Sequence, residues 1–470
     1  MAKKQWDKEV TRFEYNTYGS FSFGKEIIWG MVGLLATFIT DTGINAGMAA
    51  IVLLIPKVWD AINDTLFGIL VDRVKLKSGQ KYLPWMRIGT AIVCVCLIGL
   101  FAVPMGISDM GKALWIVLAY VLFDTGYTML DVPMFALPSA LTSKVTERGG
   151  ILANGRFFAM VGGIVSGLLI PIIRPKVGWT VSAIILSVMA TAFMIPLITK
   201  AKERVNSSNS EVTSEGIGAK AMWDYLKKNN QLYVILITTF TVGMTGINAI
   251  ISLHVARICW GNESFAALLM LVSMVPALLL GKAVPAITKK FDKVYVFVTG
   301  CVISCVTGVL MCITGTASLP LYLVLSVFQA CGMVSYQIIA YMFVSDTVEY
   351  AAYRTGTNAS GISFALLTFS NKLRGALVTS FSLALLSMIG FVSGEGAVQP
   401  EGLAGNLWKL NTLVPASGFL IAAILMLTVY KLRDKDVQIM SDYNNGKISR
   451  EDANAALEAK YGPAAVHREG

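Results

Sequence analysis

Lys57, Asp60 and Asp64 stand three and four residues apart in Pro56-Lys57-Val-Trp59-Asp60-Ala-Ile-Asn63-Asp64-Thr65. On a helix that spacing puts all three on one face, with Asn63 at its edge. One ammonium cannot neutralise two carboxylates, so the face keeps a net negative charge. A second string, Asp124-Thr-Gly-Tyr127-Thr128-Met-Leu-Asp131-Val-Pro133, sets Asp124, Thr128 and Asp131 at helical spacings of four, three and seven. Oxygen donors without imidazole suit hard cations, and two adjacent carboxylates also titrate as one coupled pair that carries a proton. Two readings stay open. Asp60, Asn63, Asp64 and Thr128 surround a sodium ion or share a proton, or the aspartates pair with Lys57 and neighbouring helices only to fix packing.

The elements that must hold these residues are apolar. Of 470 residues, 55% are hydrophobic and 14% charged, against about 25% charged in an ordinary globular domain. That balance excludes a soluble enzyme and points to lipid as the solvent. A helix crosses the hydrocarbon core with about 20 apolar residues. Twelve such runs occur, at residues 20–40, 48–71, 84–103, 112–137, 151–173, 181–198, 232–255, 264–284, 294–315, 319–346, 358–386 and 411–432. The expected fold is an all-α, multi-pass membrane protein with twelve transmembrane helices. The polar stretch before the first run carries Asp7, Glu9 and Glu14 without a small-residue cleavage site, unlike a removable signal peptide.

A charge at the centre of a membrane helix costs at least about 2.5 to 3.5 kcal/mol, which makes each one a candidate for function. Besides the two strings, Lys25 and Glu26 lie one turn inside the first run, and Lys372 and Arg374 lie near the middle of the eleventh. Snorkelling to the interface and a helix-to-helix salt bridge are their plainer readings. Arg156 opens the fifth run, and Asp346, Glu349 and Arg354 close the tenth. These are either solvated helix ends or an ionic latch that opens and shuts one side of a carrier.

Most of the 39 Lys and Arg fall on the side of the termini. Positive loops stay inside, so both termini are expected in the cytoplasm and the protein in the cell membrane. The charge of +10 is then a topology signal, and no nucleic acid partner is expected. Residues 1–198 form one six-helix half and 232–432 the other, joined by a cytoplasmic connection at 199–231 and followed by a cytoplasmic tail at 433–470. In that tail Ser449 caps an alanine-rich surface helix. Glycines before basic loops, at Gly68 and Gly281, form a weak parallel repeat between the halves. The two histidines, His254 and His467, offer no Ser/His or metal-protease arrangement, so a membrane-embedded enzyme is disfavoured. The seven cysteines lie in or beside apolar runs without a CxxC pair and read as buried packing residues.

The strings Lys57-Val-Trp59-Asp60-Ala-Ile-Asn63-Asp64, Leu130-Asp131-Val-Pro133, Gly155-Arg156-Phe-Phe158 and Ser345-Asp346-Thr-Val-Glu349-Tyr350 resemble the glycoside-pentoside-hexuronide:cation symporters. The resemblance implies a major facilitator fold and sugar uptake coupled to Na+ or H+. It implies a cation site of Asp60, Asn63, Asp64, Thr128 and Asp131, with Asp60 and Asp64 as the sodium ligands. It also implies a sugar site of Glu26, Asp131 and Arg156, with Lys25, Tyr127, Phe135 and Lys372 as further substrate candidates. Carboxylates accepting from paired hydroxyls and a forked arginine donor suit a polyol. Glu26 and Lys57 stand where the resembled pattern has aspartate and arginine, and Phe135 where it has a tryptophan. Lys25, Lys372 and Arg374 would pair with the carboxylate of a uronide. Partners are therefore a small sugar or glycoside, a monovalent cation and the lipid bilayer, with a functional monomer and no cofactor beyond the co-transported ion. A relative of the same outline that moves lysolipids is the alternative.

Overall fold

A computed structural model of the chain describes residues 9–73, 80–142, 144–204, 229–356 and 360–464. The basic loop after the second run and most of the 199–231 connection lie outside the described residues. Regular structure among the described residues is helical. Eight helical stretches there are long and apolar enough to cross a membrane.

The first run begins earlier than hydropathy places it. Helix α1 spans Arg12–Val32 because Thr11 and Glu14 form a capping box, each side chain bonded to the other's backbone. The helix breaks at Gly33 and resumes as α2, Leu35–Asp41. Helix α3, Ala46–Arg73, carries the Lys57 string, and α4 covers Leu83–Leu100. Helix α5, Asp109–Leu141, is capped by Ser108 and carries the Asp124 string. The fifth and sixth runs join in α6, Val145–Lys200, which is interrupted at Gly178. The φ there is +78°, a conformation that only glycine adopts without Cβ strain.

The rest follows as α7, Asn230–Gly243, a 3-10 turn at Met244–Gly246, and α8, Ile247–Trp260. Then come α9, Phe265–Ile287, α10, Lys293–Thr314, and α11, Leu319–Thr355. Helix α12 covers Ser360–Met388 and α13 Leu403–Thr428. Two short helices close the chain, α14, Asp434–Asn444, and α15, Arg450–Tyr461, the latter capped by Ser449 as the sequence suggests.

The chain divides into two compact units, one of Met1–Val212, Ile250–Leu271 and Thr379–Ala404, the other of Thr213–Ala249, Val272–Val378 and Gly405–Gly470. In the first, α1 lies against α6 through small residues, the usual way membrane helices approach closely. A Cβ on Gly155 would stand 2.5 Å from Tyr18 Cε1, and one on Gly162 2.5 Å from the Phe23 carbonyl oxygen. This close approach carries Arg156 to the face of α1 that bears Lys25 and Glu26. Glu14 pins the same helix from its other end, through Arg204 at 2.8 Å.

The second unit is built on Phe297, Tyr336, Phe343, Phe419 and Tyr430, and its core continues into Met440, Tyr443, Leu457 and Tyr461 of the tail. The tail helices are therefore half inside, where the sequence suggests a surface helix. Their alternating polar residues hide a buried stripe of large side chains, and the Tyr461 hydroxyl donates to the Lys431 carbonyl at 2.8 Å and to Asp436 at 2.7 Å.

Candidate functional site

Three helices of the first unit, α1, α5 and α6, border an open recess lined by Tyr18, Ser22, Lys25, Glu26, Phe135 and Arg156, among others. Lys25 is its pivot. The ammonium meets Asp131 Oδ1 at 2.5 Å and Glu26 Oε1 at 3.5 Å. It also lies over the rings of Phe135, 5.3 Å from the centroid, and Tyr127, at 5.5 Å. The Arg156 guanidinium caps the other end of the Phe135 contact, 5.9 Å from the same ring. Tyr18 is held by donating to the Met134 carbonyl at 3.1 Å.

Glu26, Lys25 and Arg156 thus line one small space with the Phe135 ring, and Asp131 backs it as the partner of Lys25. The arrangement is close to electroneutral, and it offers both acceptors and a forked donor to a ligand rich in hydroxyls. Of the sequence candidates for substrate, Lys25, Glu26, Phe135 and Arg156 line the recess, and Asp131 and Tyr127 meet it through Lys25. Lys372 lies on the exposed face of α12 in the second unit. Arg374, two residues on, packs against Gly243 of α7.

The cation candidates gather where α3 meets α5. Asn63 Nδ2 donates to Thr128 Oγ1 at 2.9 Å, to Asp124 Oδ2 at 3.3 Å and to the Asp124 carbonyl at 3.4 Å. The Lys57 ammonium lies 5.5 Å from the Trp29 ring and 5.7 Å from that of Tyr120, within electrostatic range of Asp60 and Asp124. Trp59 fixes the α3–α5 register by donating to Thr125 Oγ1 at 3.2 Å. The side chain of Asp64 lies outside the described residues. Asp131 stands with Lys25, two turns along α5 from Asp124. Trp29 packs on Tyr127 at 4.9 Å and links the two clusters, since it also carries the Lys57 contact.

The three gating candidates have partners inside the second unit. Asp346 takes the Lys293 ammonium at 2.9 Å, and Lys293 also reaches Asp434 at 3.0 Å. Glu349 accepts from Asn444 Nδ2 at 2.7 Å. Arg354 donates to the Pro463 carbonyl at 3.4 Å. Glu349 and Arg354 bind the tail to α11 directly, and Lys293 of α10 bridges Asp346 to Asp434 at the start of the tail.

Sequence reasoning missed a second ionic cluster, also within the first unit. Arg174, only 3% exposed, reaches Asp41 at 2.7 Å, Glu263 at 2.8 Å and Glu395 at 2.9 Å. Arg257 reaches Asp41 at 2.9 Å and Glu263 at 2.6 Å. Trp179 adds a hydrogen bond to Asp41 at 3.0 Å and a ring beneath the Arg174 guanidinium. The available signal was the scarcity of cations on this side of the chain, which makes each arginine there conspicuous.

Membrane-length apolar helices around a charged, aromatic-walled recess are the architecture of a carrier. The chain belongs to the MFS/sugar transport protein family, whose sequence pattern matches residues 17–434. It is 26% identical over 447 residues to the uncharacterized symporter YnaJ of Bacillus subtilis (strain 168), covering 92% of this chain and 94% of that protein. It is 25% identical over 459 residues to the isoprimeverose transporter of Lactiplantibacillus pentosus, covering 93% and 92%. Among solved structures, the nucleoside transporter NupG superposes with a TM-score of 0.66 at 13% identity, over 90% of this chain and all of that one. That likeness establishes the major facilitator fold.

Proposed function

We propose that this protein is a secondary symporter that moves a sugar or glycoside together with a monovalent cation by alternating access. The observation that carries the reading is the double use of α5. Asp131 pairs with Lys25, which lines the recess, while Asp124 and Thr128, within two turns, hold Asn63 of α3. On this reading Glu26, Asp131 and Arg156 bind sugar hydroxyls, Lys25 positions the two carboxylates, and Phe135 and Tyr127 supply apolar walls. Asp60, Asn63, Asp64, Thr128 and the shared Asp131 hold Na+ or take up H+.

The relatives' names support a glycoside as cargo. Loop charge supports twelve spans in two halves, 1–198 and 232–432, in the cell membrane with both termini cytoplasmic. In a carrier of that topology Asp346, Glu349 and Arg354 lie at the cytoplasmic ends of their helices, where a gate must work.

The test is thermal unfolding of the purified protein against glycosides, pentosides and uronides, each with Na+, Li+ or neither, over a pH series. A ligand that binds only the folded state stabilises it according to its occupancy. We expect one sugar class to raise the unfolding temperature, and to do so at lower sugar concentration when one cation, or a lower pH, is supplied. Stabilisation by no sugar, or by a sugar with no dependence on any cation or on pH, would refute the reading.

A further inference from the structure

The ionic cluster around Arg174 belongs neither to the recess nor to the α3–α5 site, and it lies on a seam. Asp41, Arg174 and Trp179 come from residues 1–198, and Arg257, Glu263 and Glu395 from residues 232–432. Ion pairs cross between these two sets. Arg174 reaches Glu263 at 2.8 Å and Glu395 at 2.9 Å, and Arg257 reaches back to Asp41 at 2.9 Å. Neutral groups follow the same seam, all of it inside the first compact unit. The Gly394 and Glu395 amides donate to the Thr40 and Asp41 carbonyls at 2.8 and 3.0 Å. Thr37 Oγ1 donates to the Ile250 carbonyl at 3.3 Å, and His254 Nε2 meets Thr40 Oγ1 at 3.1 Å. The break at Gly178 brings Trp179 back under Arg174, whose guanidinium lies 4.7 Å from the ring.

Arg174 lies about 27 Å from Arg156 along the same stretch of α6, at 1.5 Å per residue. That is close to one hydrocarbon thickness, so the cluster stands at the far end of the helix from the recess. Buried ion pairs are a poor source of stability compared with apolar side chains of the same volume, and a seam made of them needs another reason. The pairing pattern supplies one. If the crossing pairs part, Arg174 keeps Asp41 at 2.7 Å and Arg257 keeps Glu263 at 2.6 Å. Each side of the opened seam is then neutral by itself, and the carboxylate left over, Glu395, is already 64% exposed. An apolar seam would have to expose all of its area to water on opening.

We propose that this cluster is an outer latch, which shuts the extracellular end of the transport path and parts whenever that end opens. The proposal goes beyond the symport reading and rests on it, because a carrier with alternating access needs a reversible seal at the end away from its termini. Arg174 and Arg257 are the two bolts, each shared between a carboxylate of its own set and a carboxylate of the other.

The experiment uses the full-length chain in intact cells, with its seven cysteines replaced by alanine and Thr37→Cys added. Thr37 is 1% exposed and one turn inside Asp41. A charged, membrane-impermeant maleimide supplied outside modifies that cysteine in proportion to the time the seam is open. Arg257→Gln, which removes one crossing pair and leaves Arg174 to hold Asp41 and Glu263, should speed modification about tenfold or more. Glu395→Gln should speed it about two- to fivefold, and it serves where Arg257→Gln does not fold. Arg257→Lys keeps the charge without the fork and should fall between wild type and Arg257→Gln. Met105→Cys, on the exposed loop between α4 and α5, should react at one rate in every background. Unchanged modification of Thr37→Cys in folded Arg257→Gln and Glu395→Gln, even with a lowered unfolding temperature, would overturn the latch and leave a purely structural cluster. A Met105→Cys that the outside reagent cannot reach would instead overturn the topology of the symport reading, and the latch with it.

Discussion

Replacing Asp131 by asparagine keeps the side-chain volume and one acceptor oxygen but removes the charge that Lys25 meets at 2.5 Å. Two effects follow, of different size. The Lys25 side chain is 7% exposed and that of Asp131 31%. Stranding a fully buried partner costs about 3 to 5 kcal/mol, but here the lost carboxylate is part-solvated and Glu26 remains at 3.5 Å to share the ammonium. Stability should therefore fall by only about 1 to 2 kcal/mol, well under the buried limit. Sugar binding should suffer more. A hydrogen bond to a charged group contributes about 1.5 to 3 kcal/mol, and losing one weakens affinity about 10- to 150-fold. Glu26→Gln should cost less than Asp131→Asn, since Glu26 is the more distant partner of Lys25. Calorimetry of sugar binding in detergent, alongside thermal unfolding of the same sample, separates the two effects. An affinity within threefold of wild type in folded Asp131→Asn would refute the assignment of this carboxylate to the substrate.

Two further outcomes follow from the packing around the recess and from the second ionic cluster. Gly155→Val places atoms 2.5 Å from Tyr18 and 2.9 Å from Ser22 Oγ. Overpacking of this kind costs about 1 to 3 kcal/mol and moves Arg156, so sugar affinity and unfolding temperature should fall together, with Gly155→Ala intermediate. Separate loss of only one would show that the α1–α6 contact does not position the recess. Arg174→Met removes a cation that three carboxylates share, although Arg257 and Trp179 still serve Asp41. The expected destabilisation is about 3 kcal/mol, the low end for a broken buried pair. Glu395→Gln, whose side chain is 64% exposed, should cost under about 1 kcal/mol. Denaturant unfolding that ranks these two the other way would refute the burial argument.

How much of this was legible depends on the range of the interaction concerned. Spans follow from local hydropathy, so α5, expected over 112–137, is found at Asp109–Leu141. Even there local chemistry intrudes, since the Thr11–Glu14 capping box starts α1 inside a stretch that reads as polar flank. The expectation that Lys57, Asp60 and Asp64 share a face, with Asn63 at its edge, comes from spacing alone. Partner choice does not. Lys25 pairs with a carboxylate 106 residues away, and Asn63 reaches across to α5 for Asp124. The Arg174 cluster draws on separate segments, and each of its charges, at the end of an apolar run, looks like a solvated helix end. A charge at a helix end has the same sequence whether water or another helix neutralises it.

Helix α5 is therefore the most informative. Asp124, Thr128 and Asp131 recur at helical spacing on α5. One end of that stripe is tied to α3 through Asn63, the other to α1 through Lys25. A rigid helix gripped at both points cannot shift at one cluster without shifting at the other. On the symport reading, the cation therefore reaches the sugar through α5 itself. Trp29, packed on Tyr127 and under Lys57, is a second physical link between the same two clusters.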